Sequence, residues 1–133
     1  FMPETYAKMM GSNRVPDLAG IIRQAQIPVK GSCVINEHNV GEVNAFLAEC
    51  HRIGVKRLVF RKLYGETREW NILKGLQVVG DFRGNPIMDC HGMEVTYWDF
   101  DDSHCTSINL FPDGTLGTAY QLARTPEFAT ATT

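Results

Sequence analysis

Apolar positions in the first part of the chain recur every three or four residues, a spacing typical of helices. This pattern predicts a short helix over 3–11 and a second helix that begins at Pro16-Asp17. A third helix is predicted to begin at Asn39, with Glu42 three residues later as in a capping box, and to end at Gly54. Its predicted buried face consists of Val40, Val43, Phe46, Leu47, Cys50 and Ile53.

Two apolar runs rich in strand-forming residues, 27–36 and 55–63, flank this third helix. The helix between them is long enough to connect parallel strands, so residues 27–63 are predicted to form a β-α-β unit with a right-handed crossover. The first strand of such a unit has an open edge, which proteins usually cover. We therefore expect a missing N-terminal half of the same protein, or a second copy of this chain, to lie against it.

The remaining sequence predicts antiparallel structure. A short helix around 70–76 and a short strand near 76–79 precede a strand over 93–100. Apolar runs on either side of Pro112-Asp113-Gly114 predict a hairpin, because proline and glycine favour the turn.

These elements predict one incomplete α/β domain over residues 1–124. Its parallel core is 27–63, and its antiparallel extension covers about 87–122. The polar residues 125–133 are predicted to form a flexible tail.

The amino-acid composition argues against two classes of binding partner, nucleic acids and membranes. With 44% hydrophobic residues, 21% charged residues and a net charge of -2, the chain is typical of globular proteins and lacks the basic field of a nucleic-acid binder. No apolar run approaches the roughly 20 residues that span a bilayer. We therefore expect neither nucleic acid nor membrane as a partner. The widely spaced Cys33, Cys50, Cys90 and Cys105 predict reduced thiols in a cytoplasmic chain.

Two cysteine–histidine pairs, Cys90-His91 and His104-Cys105, allow a zinc hypothesis. The predicted strand between them separates the pairs, because ten extended residues span roughly 33 Å. We interpret these residues as partly buried thiols and surface imidazoles, and a small zinc protein remains a third possibility. The acidic residues Asp99, Asp101 and Asp102 favour a solvated loop.

Ligands of parallel α/β folds bind at the carboxyl ends of the strands, which makes the polar residues there candidates for a site. Ser32 and Asn36 share the alternation of the first strand, so both are predicted to point to one face. Arg61, near the end of the second strand, suits a carboxylate. Alternatively, Arg61 forms a simple ion pair with Glu66 or Glu69.

The run IPVKGSCVINEHNVGEVNAFLAECHRIGVKRLVFRKLYG, residues 27–65, resembles the fourth strand, fourth helix and fifth strand of radical S-adenosylmethionine (SAM) enzymes. The segment NPIMDCHGMEVTYWDFDDSHCTSINLFPDGTLGTAYQLA is similar to a C-terminal extension of uncharacterised members. The resemblance implies a partial, half TIM-like barrel of parallel β-α-β units followed by an antiparallel C-terminal hairpin section.

The resemblance also implies a reaction, the reductive cleavage of S-adenosylmethionine by a [4Fe–4S] cluster. Ser32 and Asn36 would contact the ribose or methionine part of this cofactor, and Arg61 would face the cofactor or substrate. The family's CxxxCxxC cluster loop is absent, since the two closest cysteines, Cys90 and Cys105, are fifteen positions apart.

We therefore expect a fragment of a radical SAM enzyme that is inactive alone. The intact parent would carry S-adenosylmethionine and [4Fe–4S], and this chain would retain neither. The alternative is a stand-alone α/β binding or interaction module, oligomeric through its open sheet edge.

Overall fold

The computed structural model describes residues 2–63, 65–100, 103 and 108–118. The chain divides into two units, Phe1–Ser103 and His104–Thr133. The elements of the first unit are α1 (Pro3–Met10), α2 (Leu18–Gln24), β1 (Lys30–Ile35), α3 (Val43–Arg52), β2 (Arg57–Lys62), β3 (Gln77–Phe82), β4 (Asn85–Cys90) and β5 (Met93–Trp98). Among the described residues, none of the helices has the length and apolar character needed to cross a membrane.

The β-α-β unit predicted from the sequence is confirmed. β1 and β2 pair in parallel from Lys30 opposite Arg57 to Ile35 opposite Lys62, and α3 connects them. The helix is followed by Gly54, whose φ of 89° is a conformation that glycine adopts without strain. The buried residues of α3 are Val43, Leu47 and Cys50, and Val40, Phe46 and Ile53 are partly buried against the same core.

The predicted capping box at Asn39 is wrong. Val40–Glu42 form a 3-10 turn, and α3 begins only at Val43. The side chain of Asn39 turns back to β1, where its Oδ1 accepts from the Asn36 N–H at 2.9 Å and its Nδ2 donates to the Val34 carbonyl at 2.8 Å. Asn39 therefore supplies hydrogen bonds to the backbone at the end of β1 rather than to the helix.

β3, β4 and β5 form an antiparallel meander with two-residue turns. At the second turn, His91 and Gly92 have φ values of 53° and 83°, as a type I′ turn requires. β4 is absent from the sequence prediction because it contains Pro86, and proline is unusual inside a sheet. The helix predicted over 70–76 is also wrong, since this segment forms turns that lead into β3.

The predicted half TIM-like barrel is wrong. β5 returns to pair in parallel with β2, so the sheet is open and mixed, with the order β1-β2-β5-β4-β3. After β2 the chain continues as a meander with tight turns instead of further helical crossovers. A barrel of this type needs repeated β-α units, and only one is present in the described residues.

One face of the sheet carries the hydrophobic core. Ile35, Leu58, Phe60 and Val95 are almost fully buried there against α3, and the rings of Phe46 and Phe60 lie 5.9 Å apart. The other two helices lie on this same side: Ile22 of α2 packs against the core, and Thr5 of α1 contacts Glu42 before α3.

No helix of the described residues packs on the opposite face of the sheet, which we call the helix-free face. Residues in register share a face, and alternate residues along a strand point to opposite faces. The residues of the helix-free face in the three parallel strands are Lys30, Ser32, Val34, Arg57, Val59, Arg61, Glu94, Thr96 and Trp98.

The second unit contains the hairpin predicted around Pro112-Asp113-Gly114. Its strands are β6 (Asn109–Leu110) and β7 (Leu116–Gly117), and the Phe111 N–H donates to the Thr115 carbonyl at 2.9 Å. Asp101, Asp102, His104, Cys105 and the predicted tail 125–133 lie outside the described residues.

Candidate ligand-binding face

Two of the three predicted site residues, Ser32 and Arg61, lie on the helix-free face. Arg61 is exposed between its register partners, Val34 of β1 and Trp98 of β5. Ser32, also exposed, lies beside Val59. Ser32 and Arg61 therefore lie on the same face of the sheet, which is open and does not form a barrel.

Asn36 lies in the loop that follows β1 and is half-buried. Its Oδ1 accepts from the His38 N–H at 2.9 Å, and its own N–H donates to Asn39. In this arrangement the amide shapes the turn, so Asn36 has a structural role that the sequence pattern did not indicate.

Trp98, the register partner of Arg61, belongs to a cluster of aromatic rings that the sequence analysis did not assign to the site. The ring of Trp98 is 5.8 Å from that of Phe82 and 6.2 Å from that of Phe100. The guanidinium of Arg83 lies 5.2 Å from the Phe82 ring centre. Because Phe82 is 48% exposed, the aromatic cluster offers flat apolar surface beside a cation.

Arg57 and Arg61 belong to the same strand and face but differ in their neighbours. Arg57 is opposite Glu94 and forms an ion pair with it at 3.0 Å, whereas Arg61 is flanked by valine and tryptophan. The carboxylates considered from the sequence as partners of Arg61 bind other cations: Glu66 pairs with Arg68 and Glu69 with Lys62. Arg61 is thus placed to receive an acidic group from a ligand.

On the core side of the sheet, a buried ion pair connects the last residue of β2 to the residue that follows β5. Lys62 Nζ is 2.9 Å from Asp99 Oδ2 and 2.8 Å from Glu69 Oε1, and the side chains of Lys62 and Asp99 are only 8% and 11% exposed. The hydrogen bonds that Lys62 donates to Glu69, and next to Asp99, raise the pKa of Lys62 above its usual range. The prediction that Asp99 belongs to a solvated loop is therefore wrong, because the pairing with Lys62 buries it.

Arg68 connects the segment after β2 to the loop that follows β1. Its Nη2 lies 3.0 Å from Glu37 and 2.5 Å from Glu66, and its guanidinium stacks 4.8 Å from the ring centre of Trp70. The hydrogen bonds from the Arg68 side chain, and next from its backbone, lower the pKa of Glu66 to about 2. Beneath this segment the described residues give no hydrogen-bond partner to Trp70 Nε1 or Tyr97 Oη.

The three cysteines within the described residues do not form a cluster site. Cys33, Cys50 and Cys90 are free thiols on three different elements, and burial raises the pKa of Cys50 to about 12. Within the described ranges, no three metal-binding side chains converge. The residues present there therefore do not fit a [4Fe–4S] cluster, which needs several thiolates. The zinc hypothesis stays a prediction, since His104 and Cys105 are outside the described residues.

Fold and site together define a mixed α/β protein with an exposed cation beside an aromatic cluster on its helix-free face. Comparison of the chain with protein-family models, with curated proteins and with solved structures finds no match in any of the three.

Proposed function

We propose that this chain is a part of a radical SAM enzyme and that its helix-free face contributes to binding the cofactor or substrate. The observation that carries the proposal is the exposed Arg61 between Val34 and Trp98, on the face that also holds Ser32. The resemblance of residues 27–65 supplies the ligand class, and the proposal needs an exposed sheet face rather than a closed barrel.

S-adenosylmethionine has chemical groups that match this face. Its carboxylate suits the guanidinium of Arg61, and its adenine ring suits the aromatic surface formed by Trp98, Phe82 and Phe100. Ser32 offers a hydroxyl to the ribose. The chain supplies only some of the contacts, so we expect it to bind weakly and not to retain the ligand.

The proposal includes no cleavage step by this chain. The sequence has no CxxxCxxC, so the cluster belongs to the missing part of the parent enzyme. Anaerobic reconstitution with iron and sulfide is therefore expected to give no [4Fe–4S] absorbance, and a stoichiometric cluster spectrum would contradict this statement. The free thiols of Cys33, Cys50 and Cys90 are consistent with a reducing compartment, and we propose a cytoplasmic location.

A titration with S-adenosylmethionine, followed by the two tryptophan indole N–H signals in ¹⁵N NMR, tests the binding. Trp98 lies on the helix-free face, whereas Trp70 packs against the core. The signal of Trp98 is expected to move while that of Trp70 stays in place. Methylthioadenosine, which lacks the carboxylate, is expected to bind more weakly.

The two arginines of β2 give a matched pair of variants. Arg61→Gln should abolish the shift of Trp98, because the carboxylate loses its partner. Arg57→Gln removes the same charge from the same strand and face, but it disturbs only the pair with Glu94 and should leave the titration unchanged. Equal effects of the two substitutions, or movement of Trp70 alone, would refute the proposal.

A second candidate function is association through the open edge of β1. The edge strand, with the sequence KGSCVI, contains one charge and no proline, and Val34 is 37% exposed, whereas edge strands are usually protected by charges or proline. We propose a second copy of this chain as the occupant. Light scattering should then show a dimer that Val34→Lys dissociates, and a monomer at all concentrations would exclude this function.

A further inference from the structure

We propose that a cavity between α1 and α3 is a binding site for a small, neutral, apolar molecule. Its volume is about 310 Å³, at the lower end of the range of about 300–1,000 Å³ for small-molecule pockets. Ile35, Phe46 and Phe60 line it from the core, and Tyr6 and Met9 line it from α1. The cavity is on the core side of the sheet and is therefore separate from the helix-free face.

The main polar groups that line the cavity already have partners. The amide of Asn39 is hydrogen-bonded to the backbone of Val34 and Asn36 at 2.8 and 2.9 Å. The carboxylate of Glu49 is bound at both oxygens by Arg52, at 2.5 and 2.6 Å. A polar ligand would have to break these contacts, whereas an apolar ligand fills the space without disturbing them.

The helix α1 can adapt to a ligand because it contributes no buried residue of its own. The Thr5 hydroxyl donates to Glu42 Oε1 at 2.5 Å and ties the helix to the start of α3. Met9 adds a flexible, polarisable side chain that adjusts to different shapes. The carboxylate of Glu42 disfavours an anion, and the mainly apolar lining does not compensate a charged group for the loss of water, so the fitting ligand is neutral.

NMR of the unmodified chain with ¹³C-methyl methionine tests this site, with N-phenyl-1-naphthylamine as a neutral probe. The methyl signal of Met9, which lines the cavity, is expected to shift. The neighbouring Met10, which is 63% exposed and does not line it, and Met88 in β4 should not shift. An unchanged Met9 signal at saturating probe, or an equal shift at Met10, would overturn the proposal.

Two substitutions on α3 sharpen the test. Ala45 lines the cavity and Ala48 does not, although both are exposed on the same helix. Ala45→Trp should raise the dissociation constant by at least about tenfold, equivalent to about 1.4 kcal/mol, while Ala48→Trp should change it by less than about twofold. The anionic 8-anilinonaphthalene-1-sulfonate should bind more weakly than the neutral probe. Equal dissociation constants for the two variants would contradict a ligand in this cavity.

Discussion

Replacing Lys62 by methionine is the most direct test of how the strand ends are held. Methionine keeps much of the apolar stem but removes the ammonium that lies 2.9 Å from Asp99 and 2.8 Å from Glu69. The two contacts differ in burial, because the side chain of Asp99 is 11% exposed and that of Glu69 is 78% exposed. The loss of the Asp99 contact therefore dominates the cost.

The expected magnitude follows from this burial. Removing one partner of a buried ion pair costs about 3–5 kcal/mol, because the other charge stays out of water without compensation. Asp99 is nearly but not completely buried, so we expect Lys62→Met to lower the free energy of unfolding by about 3 kcal/mol. Glu69→Gln breaks only the exposed contact and should cost less than about 1 kcal/mol.

Urea unfolding at pH 7, followed by far-ultraviolet circular dichroism, measures both variants. With a denaturant dependence of about 1–3 kcal/mol per molar, Lys62→Met should lower the midpoint by about 1–3 M. Asp99→Asn in the Lys62→Met background should recover part of the loss, because it removes the buried carboxylate that has lost its ammonium partner. A cost for Lys62→Met no greater than that for Glu69→Gln would refute the reasoning.

The pH dependence has a definite sign. The pKa of Lys62 is raised in the folded state, so its contribution is complete below the unfolded pKa of about 10.4 and is lost only as the pH rises through the folded value. The difference between the parent chain and Lys62→Met should therefore be constant from about pH 6 to 9 and shrink in strong alkali.

Three further predictions concern the same region and the core. Tyr97→Phe should be neutral or stabilising in urea unfolding, by up to about 1 kcal/mol, because Tyr97 Oη has no hydrogen-bond partner among the described residues. The pKa of Glu66 is lowered, so its stabilising effect is lost as the pH falls from about 4.5 towards 2, and Glu66→Gln should flatten this acid limb of stability. Cys50, whose pKa is raised to about 12, should react with iodoacetamide at pH 8 only in urea, as peptide mapping would show; rapid labelling of the native chain would contradict its burial.

The sequence predicts the β-α-β unit well because each of its signals is local. The spacing of Val43, Leu47 and Cys50 reflects the one face that α3 buries, and the composition of β1 and β2 favours strands. The capping box was misleading, because Asn39 satisfies the end of β1 instead of the helix. The side chain of an asparagine can hydrogen-bond to the helix that follows it or to the strand that precedes it, and the sequence does not show which of the two it contacts.

The sequence predicts the meander in part: the strands near 76–79 and over 93–100 correspond to β3 and β5, but the full length of β3 and the whole of β4 are not predicted, for physical reasons. Every position of β3 is exposed, so the strand has no apolar–polar alternation, and β4 contains a proline. The turns are Arg83-Gly84 and His91-Gly92 rather than the more typical Asn-Gly or Asp-Gly. The pairing of β5 with β2 connects residues 37 positions apart, such as Lys62 and Asp99, and no local pattern encodes it.

The pairing of β5 with β2 creates two contacts, and we expect mutations at these two contacts to differ in their effect on stability. On one face it brings Trp98 next to Arg61, and on the other side of the sheet it brings Asp99 within 2.9 Å of Lys62. Arg61 is exposed, so Arg61→Gln should change stability by no more than about 0.5 kcal/mol. We therefore expect two adjacent residues of one strand to differ in role: Arg61→Gln should remove the proposed binding without unfolding the chain, whereas the loss of the Lys62 charge should destabilise the fold. A large loss of stability on Arg61→Gln would show that the helix-free face is packed against something and is not available to a ligand.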